Sequence, residues 1–319
     1  MGSGKMSLRV KPGQLVASAA LTLLLPTGPT QGSEGGSSLY LPGLAGDVLI
    51  AIPPEPGLAL ADSIYLERGS VGTAVLQGAV NVGLDLDIAL NIVGGSYTFE
   101  TPVLGGTYTV GAAVPFGYVE LDTTLVDKGG GKRSASADTF DLADIAVTPL
   151  QLNWISGDFS FRFAEVVIAP VGAYDVDEVV NLGRNYWGFD TVGAITYFNQ
   201  KSSTEASIAP GILVNTRNSD TNYKTGAEFH LDFTANQFLS ETFALGVRGF
   251  YYHQVSGDSG SGALLGDFKG EAFGLGPGAV WIPKFADGKL AVVGKWMTNV
   301  HTENRFDSDY VTLTGAWTF

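Results

Sequence analysis

The sequence predicts an all-β protein: a transmembrane, antiparallel up-and-down β-barrel of about 12 strands, of the outer-membrane type. Three observations carry this. Apolar and polar residues alternate with a period of two in segment after segment, as strands require and helices do not. Short and long connections alternate between those segments. The charged fraction is 16%, with 43 glycines and 11% aromatics, well below the roughly 25% charge of ordinary soluble domains.

Residues 1–32 read as a secretory signal. Lys5, Arg9 and Lys11 precede the apolar run "LVASAALTLLL", and the small, polar "PTGPTQGSEGGSS" follows, the order of a cleaved leader with its cut near Gly32. The run is too short to span a bilayer as a helix. Residues 33–57 form a Pro/Gly-rich segment, "SLYLPGLAGDVLIAIPPEPG" in its later part, in which Pro53 and Pro54 end any regular structure. It has two placements open to it: inside the lumen as a small plug, or in the periplasm.

The barrel is expected over 58–319, with strands near 58–67, 81–94, 106–121, 145–155, 159–170, 187–199, 205–216, 225–236, 243–254, 269–282, 289–300 and 309–319. In "NVGLDLDIALNI", Leu84, Leu86, Ile88 and Leu90 alternate with Asp85, Asp87 and Ala89; in "GAEFHLDF", Phe229, Leu231 and Phe233 alternate with Glu228, His230 and Asp232. "SGD" follows the fourth strand, "QKSST" the sixth and "QFLSE" the eighth, whereas the odd connections include "DTTLVDKGGGKRSASADTFDLAD" and "GAYDVDEVVNLGRNY". Short turns on one side and long loops on the other place the short side in the periplasm. The final "YVTLTGAWTF" alternates up to Phe319, as a closing strand would, and a terminal aromatic is what barrel-insertion machinery typically reads.

With no cysteine, disulfide scaffolds, thiolate metal sites and a cysteine nucleophile are excluded. A net charge of −14 argues against a nucleic-acid partner. "SGDSGSG" resembles a protease nucleophile loop only superficially, and "GGGKRS" lacks phosphate-loop spacing. The sequence implies no catalytic residue, metal or cofactor.

Six polar residues alternate with apolar neighbours that face lipid: Arg162, Glu228, His230, Asp232, Arg248 and Lys295. An Arg or Lys facing mid-bilayer costs roughly 2–4 kcal/mol, so these side chains are expected to line the lumen. Glu228 and Asp232 precede Arg248 by one strand, and a cross-strand ion-pair cluster is expected there. Aromatics such as Tyr108, Trp154, Tyr186, Trp187, Tyr197 and Trp317 are expected in interfacial girdles.

The order "YLPGLAGD", "PPEPG", "DLADIAVTPLQLNW", "NLGRNYWGFD", "GILVNTRNSDTNYKTGAEFHLDF" and "GLGPGAVW" resembles the meta-pathway phenol-degradation family, over about Ser38 to Phe319. "APVGAYD" departs from the family pattern at Val171. The resemblance implies an outer-membrane transporter or channel near aromatic catabolism, and it carries over no catalytic residue. The function expected is therefore a monomeric outer-membrane channel or transporter for small aromatic or hydrophobic molecules, with outer-membrane lipids, the insertion machinery and its substrate as partners. An outer-membrane lipid-modifying enzyme and a structural or adhesive barrel are the alternatives.

Overall fold

A bilayer core offers no water to backbone N–H and C=O groups, so a spanning sheet must close on itself. The computed structural model describes residues 38–76, 79–126, 132–264 and 269–319; the signal segment 1–32 and its cleavage position lie outside them. Among the described residues, thirteen strands form one antiparallel sheet: β1 (Gly57–Leu76), β2 (Ala79–Thr98), β3 (Thr107–Val126), β4 (Lys132–Leu142), β5 (Ile145–Ser156), β6 (Phe159–Ala169), β7 (Gly188–Asn199), β8 (Thr204–Asn215), β9 (Glu228–Ser240), β10 (Phe243–Gln254), β11 (Glu271–Trp281), β12 (Leu290–Glu303) and β13 (Asp307–Thr318). β1 pairs with β13 in unbroken register from Ala59↔Thr318 to Ser70↔Asp307. The Phe319 amide adds a bond to the Leu58 carbonyl, 3.0 Å. The first strand thus meets the last and the sheet is a closed barrel.

All twelve expected strands are present. The difference lies at the side of the long loops. β1, β2 and β3 each run to 20 residues, and the stretch read as the loop "DTTLVDKGGGKRSASADTFDLAD" contains β4. β3 pairs with β5 from Thr107↔Asn153 to Ala113↔Ala146 and then with β4 from Phe116↔Leu142 onward. β4 and β5 are therefore two parts of one wall position, separated only by Ala143 and Asp144. The barrel has twelve positions around its ring, and the fourth is broken. "KRSASADTFDL" escapes a periodicity count because charged, hydroxyl and small residues fill both parities until Phe140 and Leu142.

The outer face of β1 shows where the lipid belt stops. Leu58, Leu60, Ile64 and Leu66 are exposed, and Arg68 and Ser70 follow. Asp62 interrupts the belt, and its carboxylate accepts from Asn91 Nδ2 at 2.7 Å. Above the belt the outer face is acidic. Asp85 stands opposite Asp122, Asp87 opposite Glu120, and Glu120 opposite Asp138. Arg68 Nε bonds Asp87 there at 2.5 Å.

The sense of alternation reverses on β2. Leu84, Leu86, Ile88, Leu90 and Ile92 are buried inside the barrel, whereas Asp85, Asp87 and Asn91 face out. A period of two fixes which residues share a face but not which face meets water. Asp85 and Asp87 stand beside Ser70 and Arg68, beyond the exposed leucines of β1, so there the polar set faces out and Leu84 and Leu86 turn inward; Ile88, Leu90 and Ile92 follow on the same parity. They join Val119, Leu121, Val166, Ile168 and Leu213 in one apolar cluster.

Residues 38–56 precede β1, and 38–52 of them are buried within the wall. Leu39, Leu41, Val48, Leu49 and Ala51 are all buried. Leu39, Leu41 and Ile50 pack into the larger cluster. Val48, Leu49 and Ile52 pack with Phe198, Phe238, Val280 and Val293 toward the end with the short turns.

The connection 170–187 also turns inward, with Val180, Leu182 and Tyr186 buried. Tyr186 is thus a core residue, not the girdle residue its type predicted. Asp144, in the break of the fourth wall position, holds this connection by accepting from the Gly172 amide (2.9 Å) and the Arg184 amide (2.8 Å).

Closure depends on the β1–β13 seam, where Leu313 faces lipid beside Ile64. Leu313→Arg is expected to lower barrel stability by roughly 2–4 kcal/mol. The measurement is urea-dependent loss of the heat-modifiable, fast-migrating species, compared with Leu313→Val.

Candidate functional site in the barrel lumen

Segment 38–56 has little regular structure, so its backbone polar groups need partners that a helix or sheet would have supplied. Inward-facing side chains of the wall supply them. The Leu49 amide donates to Glu205 Oε1 (3.2 Å) and the Ala51 amide to Thr196 Oγ1 (2.9 Å). Asn153 Nδ2 donates to the Ala51 carbonyl (3.1 Å), and Thr234 Oγ1 to the Asp47 carbonyl (3.3 Å).

All six residues singled out from the sequence have buried side chains on the inner face. Arg162, on β6, donates from Nη1 to the Ile50 carbonyl at 3.0 Å. Lys295, on β12, donates to the Gly43 carbonyl (2.5 Å) and pairs with Asp47 (2.6 Å). Glu228, at the start of β9, accepts from Ser38 Oγ (3.1 Å), Asn215 Nδ2 (3.0 Å) and the Tyr252 hydroxyl (2.6 Å). Asp232 accepts from the Tyr40 hydroxyl at 3.0 Å. His230 lies between these two carboxylates along the same face of β9. Its Nε2 is 3.0 Å from Asp190 Oδ1, and its ring stacks on Tyr40 with centroids 4.3 Å apart. Gly211 leaves the space for that ring, since a Cβ there would lie 2.2 Å from His230 Cε1.

Arg248 does not join Glu228 and Asp232 in the expected cluster. The register sets Arg248 opposite Thr234, Asp232 opposite Phe250 and Glu228 opposite Gln254. Parity puts all three on one face correctly, but only the register says which residues are opposite, and the turn that sets it is not an alternation signal. Arg248 instead lies over Gly278, where a Cβ would approach its Cγ to 3.0 Å, and its Nη1 donates to the Val247 carbonyl at 3.3 Å.

Several participants are not among the residues that the sequence singles out. Asp190 and Glu205 sit on the inward parity of β7 and β8, and the same count that finds Glu228 would find them. Tyr40 and Asp47 lie in the irregular segment, where no periodicity exists to assign a face.

Around this lumen, an antiparallel sheet closed first strand to last, with an apolar outer belt and charged residues held inside, defines an outer-membrane β-barrel. The chain belongs to the family described as "Putative MetA-pathway of phenol degradation", which matches residues 71–314. No curated protein matches the sequence. Among solved structures, the fold is similar to that of the COG4313 outer membrane channel from Pseudomonas putida F1, at 14% identity and a TM-score of 0.66, over 84% of this chain and 97% of that one. Lower overlap is found with the β domain of the Bordetella autotransporter BrkA (10% identity, TM-score 0.46, 83% and 100% of the two chains). A Pseudomonas aeruginosa FadL homologue also overlaps at this level (11%, 0.41, 93% and 99%). Overlap this low carries no functional weight.

The Lys295–Asp47 pair ties segment to wall. Lys295→Met leaves Asp47 buried without its partner, at a cost of roughly 3–5 kcal/mol. The segment should then detach more often, read as raised single-channel conductance and faster proteolysis within 38–56. Adding Asp47→Leu should restore wild-type behaviour, because replacing both partners removes the stranded charge.

Burial lifts the Asp144 carboxyl to about 6, against the pull of the Gly172 and Arg184 amides and the Arg184 charge. The docked connection 170–187 therefore holds the proton more tightly than the undocked one. Its docking is strongest at pH values below the free carboxylate's own range and weakens as pH rises through about 6. Hydrogen-exchange protection of amides in 170–187, corrected for intrinsic rates, should fall from about pH 5 to about pH 7, and Asp144→Asn should flatten that dependence.

Proposed function

We propose that this barrel is a channel whose substrates are small aromatic or otherwise hydrophobic molecules, with passage governed by the segment 38–56 held in its lumen. The observation that carries the reading is the inward row Leu84, Leu86, Ile88, Leu90 and Ile92 on β2. Barrels that pass ions and sugars present polar interiors; an apolar wall leading down from the side of the long loops favours apolar solutes. The family's association with phenol degradation supports the same substrate class, and the Pseudomonas putida protein of the same fold is itself named a channel. A transport role is favoured over an enzymatic or adhesive one because the buried polar chemistry is concentrated inside the barrel, around the segment. We further read the barrel as a monomer in outer-membrane lipid, delivered there by the barrel-insertion machinery.

Leu86→Asp with Leu90→Asp places two carboxylates on that row. Uptake of toluene by cells producing the variant should fall about tenfold or more, the effect of roughly 1.4 kcal/mol. Heat-modifiable mobility identifies the fraction of the variant that assembles, since both leucines are buried and the comparison is made on that fraction. Unchanged uptake by a correctly assembled double variant would remove the apolar row from the pathway.

A further inference from the structure

The inner wall carries two flat rings of similar tilt. His230 on β9 and Tyr252 on β10 are cross-strand partners, so their rings stand side by side on one face. Both are fixed by the wall itself. His230 Nε2 is 3.0 Å from Asp190 Oδ1 on β7, and Gly211 on β8 leaves room for the imidazole edge. The Tyr252 hydroxyl donates to Glu228 at 2.6 Å, and the Arg305 guanidinium carbon lies 3.7 Å from the centre of the Tyr252 ring. Two residues along β9 from His230, Asp232 brings its carboxylate onto the same buried face.

What rests on this platform is a phenol. The Tyr40 ring stacks on His230 with centroids 4.3 Å apart and planes 18° apart, and it lies nearly parallel to Tyr252 at 6.2 Å and 11°. Its hydroxyl donates to Asp232 Oδ1 at 3.0 Å and accepts from the Gly43 amide at 3.3 Å. Tyr40 is buried. The platform and the carboxylate belong to strands fixed by closure, whereas the phenol belongs to the irregular segment, which side-chain bonds hold in place. From Cβ outward, a tyrosine side chain has the constitution of 4-methylphenol. The groups that recognise it here are a stacking face and a charged acceptor at the hydroxyl. Both would recognise a free phenol: the face through ring burial and stacking, the carboxylate through a charge-assisted bond. An arene without a hydroxyl would leave the Asp232 carboxylate short of a donor, and a buried group left so discriminates strongly.

We propose that His230, Tyr252 and Asp232 form a binding slot for phenols, which Tyr40 occupies as a built-in surrogate while the segment 38–56 is docked. A phenol entering the lumen competes with Tyr40 for the slot and so favours release of the segment. The movement of the segment rests on the channel reading above; the ring and the hydroxyl rest on the contacts of Tyr40 alone.

Two measurements on the full barrel in detergent micelles test this. Tyr40→Ala empties the slot, and isothermal titration of that variant should show 4-methylphenol binding about tenfold or more tightly than toluene, the difference one charge-assisted bond supplies. Adding Asp232→Leu should abolish the preference. In the wild type, 4-methylphenol should speed proteolysis within 38–56, by roughly tenfold at about ten times the Kd found with Tyr40→Ala, and toluene at equal concentration should do far less. Tyr40→Ala should show no such acceleration, because the phenol then displaces no resident ring. Equal binding of 4-methylphenol and toluene by Tyr40→Ala overturns the proposal. So does wild-type cleavage indifferent to 4-methylphenol, which would make Tyr40 ordinary packing. If Tyr40→Ala does not assemble, the contrast between the two compounds on wild-type cleavage decides alone. Toluene uptake separates the two readings. Uptake with cleavage indifferent to 4-methylphenol sinks the slot and leaves the channel; accelerated cleavage without uptake of either compound does the reverse.

Discussion

The seam between β1 and β13 is the interaction on which the rest of the molecule depends. In hydrocarbon, each unpaired backbone group costs several kcal/mol, so a sheet one seam short of closure would not be a slightly weaker barrel but an untenable one. Twelve consecutive register pairs, from Ala59↔Thr318 to Ser70↔Asp307, settle that requirement along the height of the belt. Once they form, every strand between them is obliged to alternate, with one parity in lipid and the other in the lumen. The outer leucines, the inner charges and the short turns are all consequences of this closure.

Closure moves the energetic problem inward. A barrel of this circumference encloses Arg162, Arg248, Lys295, Asp190, Glu205, Glu228 and Asp232, all buried. Charges removed from water need hydrogen-bonded partners. The segment 38–56 has the complementary deficiency, because its irregular backbone exposes amides and carbonyls that no ladder pairs. Each deficiency answers the other: Arg162 and Lys295 take carbonyls of the segment, while Glu205 and Thr196 take its amides. Wall and segment are therefore best regarded as one polar network.

How much of this was legible depended on whether a signal repeats. The spanning strands were legible because lipid selects apolar residues at every second position, as in Phe159, Phe161 and Phe163. The inward placement of Arg162, Glu228, His230, Asp232, Arg248 and Lys295 was legible by the same count. β4 was not, since "KRSASADTFDL" stands on the membrane's far side and is wetted on its outer face. Nor was the inward turn of Leu84 to Ile92, because alternation has no sign of its own and the level of the bilayer decides it. The pairing of Arg248 with Thr234 in place of Glu228 needed the register, and the roles of Tyr40 and Asp47 needed the three-dimensional path of an aperiodic segment.

The acidic outer face of the tall wall formed by β2, β3 and β4 gives this rim a property the belt does not share. Asp85 faces Asp122, Asp87 faces Glu120, and Glu120 faces Asp138, and like charges directly opposite on a sheet repel. Arg68 offsets the Asp87 member. The separations are well inside the roughly 8–10 Å over which salt at 0.10–0.15 M begins to screen. The mutual repulsion of these carboxylates therefore weighs most against the β2–β4 ladder at low ionic strength and least at high, whereas the apolar contacts of the belt below carry no such dependence.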